Sequence, residues 1–348
     1  MSAQSPNFTF TLLSRIMNNS VPKIVVITPV KNEAWILERF LSVTSQFADY
    51  IIIADQNSTD GSQAICKKYP KVILVENKSE KFNEADRQLL LIKTARELIL
   101  EPKILIALDA DEILAANAIK TQSWQTMLQA KPGTVIYFEK PDLFETTHQC
   151  IRTGILTPLA YVDDGAAHQP QAIHSVRIPT PEYATRLHCH DIKVLHYGIT
   201  RLDAHAAKMR LYGVIENVLG VGHPLGRRYR YNSRPDYLGL GKLEAAPDEW
   251  FRGWEEQGID MHTIIKHKYY AYDFEVLRYF QKYGMRRFLM EDIWKFDWEA
   301  CRQYAKSQQL ESIPDYPISQ PSKVVDSMLD MMMNVSVRAK SLLAAWLK

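Results

Sequence analysis

The sequence predicts an α/β fold: a mainly parallel sheet with helices on both faces, followed by a helical C-terminal extension. Two observations carry this. Short apolar runs recur at 23–28 (KIVVIT), 50–54 (YIIIA), 72–75 (VILV) and 103–108 (KILIAL), as strands buried on both faces require. Segments with helical spacing lie between them, which is the rhythm of βαβ units. The first such segment, 33–44, places Ile36, Leu37, Phe40 and Leu41 on one face. Thr59, Asp60 and Gly61 make a turn before a short helix over 62–68. A longer helix spans 83–100, and Pro102 stops it. Further strands are expected at 134–139 and 192–195, with a loop-rich stretch between them. Beyond Arg201 the pattern is helical and rich in aromatics, Tyr269, Phe280, Trp294 and Trp298 among them, which read as helix-packing residues. The expected division is a first domain over 22–200 and a mostly helical extension over 201–348.

The composition narrows the classes. With 46% hydrophobic and 24% charged residues over 348 positions, the chain has enough apolar material for a core and is not a disordered polymer. Lys plus Arg is 42 against 40 Asp plus Glu, so no excess of positive charge marks a nucleic-acid binder. Cys66, Cys150, Cys189 and Cys301 are scattered without a CxxC pair, which fits a reducing compartment and neither a disulfide framework nor a structural zinc site. No signal peptide is read in the first twenty residues. No apolar run reaches the ~18 residues of a membrane span. A cytoplasmic location is therefore expected.

Four segments carry chemistry, three of them at strand ends. Leu108-Asp109-Ala110-Asp111-Glu112 places acids straight after an apolar strand, at the edge where open α/β sheets bind ligands. Residues i and i+2 of a strand share a side, so Asp109 and Asp111 are expected to converge on Mg2+ or Mn2+ bridging to substrate phosphates. The plainer alternative is a helix start with Asp111 as N-cap and Glu112 favouring the dipole. Asp55, Gln56 and the Ser58-Thr59-Asp60-Gly61 turn end the second run, with Asp55 placed to accept from a base or ribose; Asp60 and Gly61 are turn chemistry in either case. Thr28, Pro29, Val30 and Glu33 close the first run and line a pocket through backbone groups, unless this is only a connection capped by Asn32. In the stretch 81–88, Arg87 can approach a base or diphosphate, or belong to a charged helix face.

Together these segments resemble the family 2 glycosyltransferases of the GT-A, Rossmann-like fold. A T-P-x-x-N-E stretch is matched by Thr28 to Glu33, a D-x-x-S-T-D-G stretch by Asp55 to Gly61, and the D-x-D motif by Asp109 to Asp111. The L-D-A-D-E form looks like the subgroup of bacterial polysaccharide and lipopolysaccharide-core transferases. The resemblance implies a metal-dependent, inverting transfer from a nucleotide-diphosphate sugar, UDP first, to a glycan or lipid-linked hydroxyl. Gln56 departs from the Asp or Asn usual after the first acid. No G-x-x-x-x-G-K-[ST] and no G-x-G-x-x-G after the first strand points to another nucleotide fold. Two alternatives stand beside this: a sugar nucleotidyltransferase, and a non-catalytic module that binds nucleotide or glycan.

The middle of the chain should supply a general base. Resembling enzymes carry a His-Glu pair there, but this chain has His174-Ser175. Asp163, Asp164, Glu182 and Asp191 become the candidates, with Asp164 preferred. The resemblance matches Val194-Leu195-His196 to an apolar-apolar-His strand end, and His196 is expected to complete the metal site or touch the diphosphate. His188 and His190 share a strand face but lack further ligands for zinc. Arg201, Lys208 and Arg210 are read as a basic lid over the diphosphate or as a solvated face. The Met-rich segment 328–346 is either an amphipathic helix on the inner leaflet of the membrane or a helix docking on the body or on another subunit. The second reading is favoured.

Overall fold

The structure is a computed structural model, and it describes residues 21–77, 83–171, 175–231 and 241–346. The chain divides into two compact units. The described residues of Met1–Thr200 and Gly241–Ile264 form the first, and those of Arg201–Leu240 and Ile265–Lys348 the second. The segment Gly241–Ile264 thus packs with the first unit, although it falls within 201–348.

In the first unit the strands β1 (Lys23–Val30), β2 (Tyr50–Asp55), β3 (Val72–Glu76) and β4 (Lys103–Ala107) stand in the order β3-β2-β1-β4, all parallel. The connections are the helices α1 (Ala34–Phe47), α2 (Ser62–Cys66) and α3 (Glu84–Leu98). Side chains of β1 alternate between two cores. Val26 packs with Leu37 and Phe40 of α1, while Val25 and Ile27 pack with Leu91, Ile92 and Ala95 of α3. Burial on both faces is why these strands are unbroken apolar runs. Asn83 caps α3 by accepting from the Ala85 and Asp86 amides.

Asn32 is not the cap of α1. It adopts a left-handed conformation with φ 58°, and its side chain accepts from Thr59 N at 2.8 Å. The orphan amide of Ala34 is instead satisfied by Asp60 Oδ2 at 2.8 Å, and Glu33 N by Ser62 Oγ at 3.0 Å. The turn after β2 therefore caps the helix after β1, and the two loops form one rigid edge.

The sheet continues beyond β4 with mixed directions. The further strands are β5 (Glu112–Leu114), β6 (Thr134–Glu139), β7 (Asp142–Leu143), β8 (Gln149–Arg152), β9 (Leu156–Val162), β10 (Thr185–His196) and β11 (Lys242–Ala245). β9 runs antiparallel to both β4 and β6, β10 runs parallel to β6, and β5 pairs antiparallel with β10. The stretch expected to be loops thus holds three strands, and the strand expected at 192–195 is the end of a 12-residue one. Pro158 lies inside β9 beside a register shift in its pairing with β6, which is how a sheet accommodates a residue without an amide donor. A short helix α4 (Gln122–Leu128) covers this half, and α7 (Arg252–Glu255), introduced by the return segment, seats Trp254 with its indole donating to Leu114 O.

The second unit is helical, with α5 (Leu202–Leu219), α6 (Pro224–Arg230), α8 (Ala271–Tyr283), α9 (Trp298–Ser307) and α10 (Lys323–Trp346). Phe280, Phe288, Trp294 and Trp298 form its core. Arg210 does not belong to a lid: it is buried, pairs with Asp273 at 2.7 Å and lies over the Phe296 ring. Arg201 is likewise buried, against Tyr270, and Lys208 lies over the Tyr212 ring. One face of α10 docks within this unit, Asp326 and Asp330 meeting the fully buried Arg228, while Met328, Met331, Met332 and Val335 are exposed. No helix among the described residues is long and apolar enough to cross a membrane.

Candidate functional site

The strand order puts the topological switch between β1 and β4, with β2 on the other side of β1. The register aligns Val30 with Asp55 and Ile27 with Ala107, so all three strands end at one edge. That is where a ligand is expected in an open α/β sheet.

Thr28 and Asp55 are 0% and 2% exposed. One oxygen of Asp55, Oδ1, accepts from Ser58 N at 3.0 Å and Gln63 Nε2 at 2.6 Å. Its other oxygen, Oδ2, is buried with no hydrogen-bond partner among the described residues, and so is Thr28 Oγ1. Buried polar atoms are rarely left unpaired, so two such atoms at a ligand-binding edge mark a place for a polar ligand. Val30 O accepts from Gln56 N at 2.8 Å, and Gln56 is buried. Pro29, Val30 and Glu33 complete this rim, the Glu33 carboxylate accepting from the Trp35 indole at 2.7 Å. Arg87 sits in the first turn of α3 and is half-buried.

After β4 the chain does not continue as a strand. Leu108 N donates to Ile27 O, and a tight turn brings Glu112 N to Asp109 O at 2.9 Å before β5 begins. The alternation of strand side chains therefore fails here, and no helix starts at Asp111. Asp109 and Asp111 take different nearest partners. Asp109 Oδ1 pairs with Arg177 Nη1 at 3.0 Å. Asp111 Oδ2 faces His196 Nε2 at 3.5 Å. Ala110 between them is buried.

His196 is delivered by β10, whose pairing with β5 sets it opposite Glu112. Its other nitrogen, Nδ1, meets Asp142 Oδ1 at 2.5 Å. Burial alone would lower the imidazole pKa, but Asp111 and Asp142 outweigh it and push it up to about 9. Glu112 is 1% exposed. Burial would raise its pKa, yet Arg177 and Lys140 hold the carboxyl well below the usual range.

Among the described residues no three of Asp, Glu, His and Cys converge as a ligand set, so the expected trio of Asp109, Asp111 and His196 is not assembled. The pair Asp111 and His196 does suit a divalent cation. Mg2+ and Mn2+ are commonly held by one or two protein groups and completed by phosphate oxygens and water. An imidazole fixed by a carboxylate on its far nitrogen is the usual supporting arrangement for a metal ligand. His196 must give up its Nε2 proton to ligate.

The preferred base is elsewhere. β9 is antiparallel to β4, with Val162 opposite Ile104 and Asp163 N bonded to Lys103 O. Asp163 and Asp164 therefore lie at the edge where β4 starts, and Asp109 and Asp111 follow its other end. Asp164 accepts from Tyr161, Tyr183 and Ala166 N, and Asp163 pairs with Arg96 at 2.7 Å. Glu182 and Asp191 are exposed. Ser175 lies near the rim, donating its amide to Glu84 at 3.2 Å, and His174 lies outside the described residues. His188 packs on Tyr137, and all four cysteines are buried thiols. Arg177, Lys140 and Asp142 were not singled out from the sequence.

Residues 25–123, which hold the whole parallel edge and the D-A-D turn, match the family described as glycosyl transferase family 2. That stretch of the chain is thus similar to a family 2 glycosyl transferase domain. No curated protein matches the chain. Solved structures similar to part of this chain include a mycobacterial protein at 15% identity and TM-score 0.27, covering 40% of this chain and 47% of that one. Glucosyl-3-phosphoglycerate synthase from Mycobacterium tuberculosis, solved with Mn2+, UDP and glucosyl-3-phosphoglycerate, is similar at 17% identity and TM-score 0.25, covering 40% and 50%. A 4-diphosphocytidyl-2C-methyl-D-erythritol synthase is similar at 12% and TM-score 0.28, covering 40% and 74%. The chain thus spans about half the length of the first two.

Proposed function

We propose that the chain is a metal-dependent, inverting glycosyltransferase. Its donor is a nucleotide-diphosphate sugar, UDP-linked in the first instance, and its acceptor a hydroxyl on a glycan or lipid-linked glycan. The observation that carries this reading is the juxtaposition, on one sheet edge of a stretch similar to a family 2 domain, of the unpaired Asp55 Oδ2 with the Asp111–His196 pair.

Asp55 Oδ2 accepts from an imide N–H or ribose hydroxyl of the nucleoside, and Thr28 Oγ1 adds a second contact. Gln56 and the rim of Pro29, Val30 and Glu33 shape the pocket around it. Asp111 and His196 hold Mn2+ or Mg2+, with Asp142 keeping the imidazole oriented. The bound cation supplies countercharge to the departing diphosphate. The acceptor hydroxyl gives its proton to solvent as its oxygen bonds to the anomeric carbon and the bond to the diphosphate breaks on the opposite side, so configuration inverts and the nucleoside diphosphate leaves.

Calorimetry with UDP, with and without Mn2+, tests this. Wild type should bind UDP more tightly with Mn2+. Asp111→Ala should lose that gain while keeping its melting temperature. Equal Mn2+ enhancement in wild type and variant would overturn the reading.

A further inference from the structure

Glu112 is the most enclosed acid of the D-A-D-E turn, and both its oxygens are fully used. Oε1 accepts from Lys140 Nζ at 3.0 Å and Arg177 Nη2 at 2.9 Å. Oε2 accepts from Arg177 Nη1 at 2.7 Å and from the backbone amide of Asp109 at 3.0 Å. A buried carboxylate persists only when paired and hydrogen-bonded in this way. The same Nη1 of Arg177 also reaches Asp109 Oδ1 at 3.0 Å. One guanidinium thus grips a buried carboxylate with Nη1 and Nη2 and shares Nη1 with a half-exposed one. Only a planar, multi-donor cation can do both.

The consequence falls on the turn. Arg177 pairs directly with Asp109, while Asp111, which the same guanidinium attracts from farther off, faces His196. Ser175 takes part in delivering this arginine: its amide is anchored on Glu84 and its hydroxyl accepts from Gln171 N at 2.9 Å. The serine that stands where an acid was expected therefore holds the segment leading to Arg177.

We infer that Arg177 is a positioning residue that keeps Asp109 out of the cation's coordination. It leaves Asp111 and His196 as the protein ligands and sets the affinity for the cation. This rests on the proposed reading of Asp111 and His196 as ligands.

The test is titration of Mn2+ followed by electron paramagnetic resonance, without nucleotide, on the full chain. Removing Arg177 alone strands the buried Glu112, so the main variant is the neutral pair Glu112→Gln with Arg177→Gln. Freed from its cation, Asp109 should tighten Mn2+ binding by about fivefold or more, as an uncompensated charge beside a divalent ion would. Asp109→Asn should change Mn2+ affinity less than about twofold in wild type, and should cancel the gain in the double variant. Should the double variant fail to fold, Arg177→Lys, which keeps a charge but not the fork, should shift affinity in the same direction. Unchanged Mn2+ affinity in the folded variants would overturn the inference while leaving the ligand reading intact. Indifference of Mn2+ binding to Asp111→Ala would remove the ligand reading itself.

Discussion

A Cβ atom placed on Gly198 would stand 2.7 Å from His196 Nε2 and 2.9 Å from His196 Cε1, with Asp111 Oδ2 at 3.3 Å. The backbone after β10 therefore walls the Nε2–Cε1 edge of the imidazole beside Asp111, and only a residue without a side chain fits. Asp142 and Asp111 hold the ring from its two nitrogens, so it has little freedom to move aside. Gly198→Ala should displace the ring and weaken Mn2+ binding by about tenfold or more, the range seen when a ligand's support is disturbed. It should destabilise the fold by about 1–3 kcal/mol through overpacking. Mn2+ titration and urea unfolding measure the two effects. Unaltered Mn2+ affinity would mean that His196 does not ligate.

The two oxygens of Asp55 have separate tasks. Oδ1 ties the turn through Ser58 and Gln63, and Oδ2 is unpaired. Asp55→Asn can keep the first task while losing an acceptor at the second. UDP binding should weaken by about tenfold or more, corresponding to a lost hydrogen bond of about 1.5–3 kcal/mol to a charged group. The loss should appear with and without Mn2+, unlike that of Asp111→Ala. Calorimetry of both variants separates nucleoside recognition from cation binding.

What could be read from the sequence follows from where burial is symmetric. KIVVIT, YIIIA and KILIAL are buried on both faces and show as plain apolar runs. β9 escapes because Pro158 interrupts its pattern, and β8 and β11 because their pairing joins Arg152 to Lys242 across the chain. Gly241 marks that pairing, since a Cβ there would meet Arg152 O at 2.5 Å, but a lone glycine does not announce its neighbour. The positions of Asp55 at the end of β2 and of Asp111 in the turn after β4 are legible because a buried apolar run precedes each. Arg177 was not, because it lies in a segment without periodicity. The signal for it was the acids themselves: three carboxylates in four residues require cations, and one of these proves to be an arginine. Only the direction of β9 decides at which edge Asp164 emerges, and the sequence does not reveal that direction.

That direction gives a prediction of its own. Asp164 accepts from Tyr161, Tyr183 and Ala166 N at the edge where β4 begins. Asp164→Asn should cost on the order of 1 kcal/mol, because an amide replaces only some of those acceptor sites. UDP and Mn2+ affinities should stay within about twofold of wild type, since distant, unconnected sites do not couple. A loss of UDP or Mn2+ affinity beyond tenfold would bring the residue back into the site.

His168 gives the fold a dependence on pH that can be assigned to one side chain. Its Nε2 lies 2.9 Å from Gln88 Oε1 on α3. Burial, and then the nearby Arg96, push its pKa down to about 4 from an ordinary 6.5. A histidine lowered in the folded state binds its proton more readily in the unfolded chain. Its contribution is therefore complete above about pH 6.5 and is lost as pH falls toward 4. Since the ring is only half-buried, solvent screening limits the loss to on the order of 1 kcal/mol. His168→Gln lacks the titrating group, so its unfolding free energy should fall less steeply between pH 6.5 and 4.5 than that of wild type. Urea melts at pH 7, 5.5 and 4.5 make the comparison, and parallel slopes would show that the acid sensitivity arises at other groups.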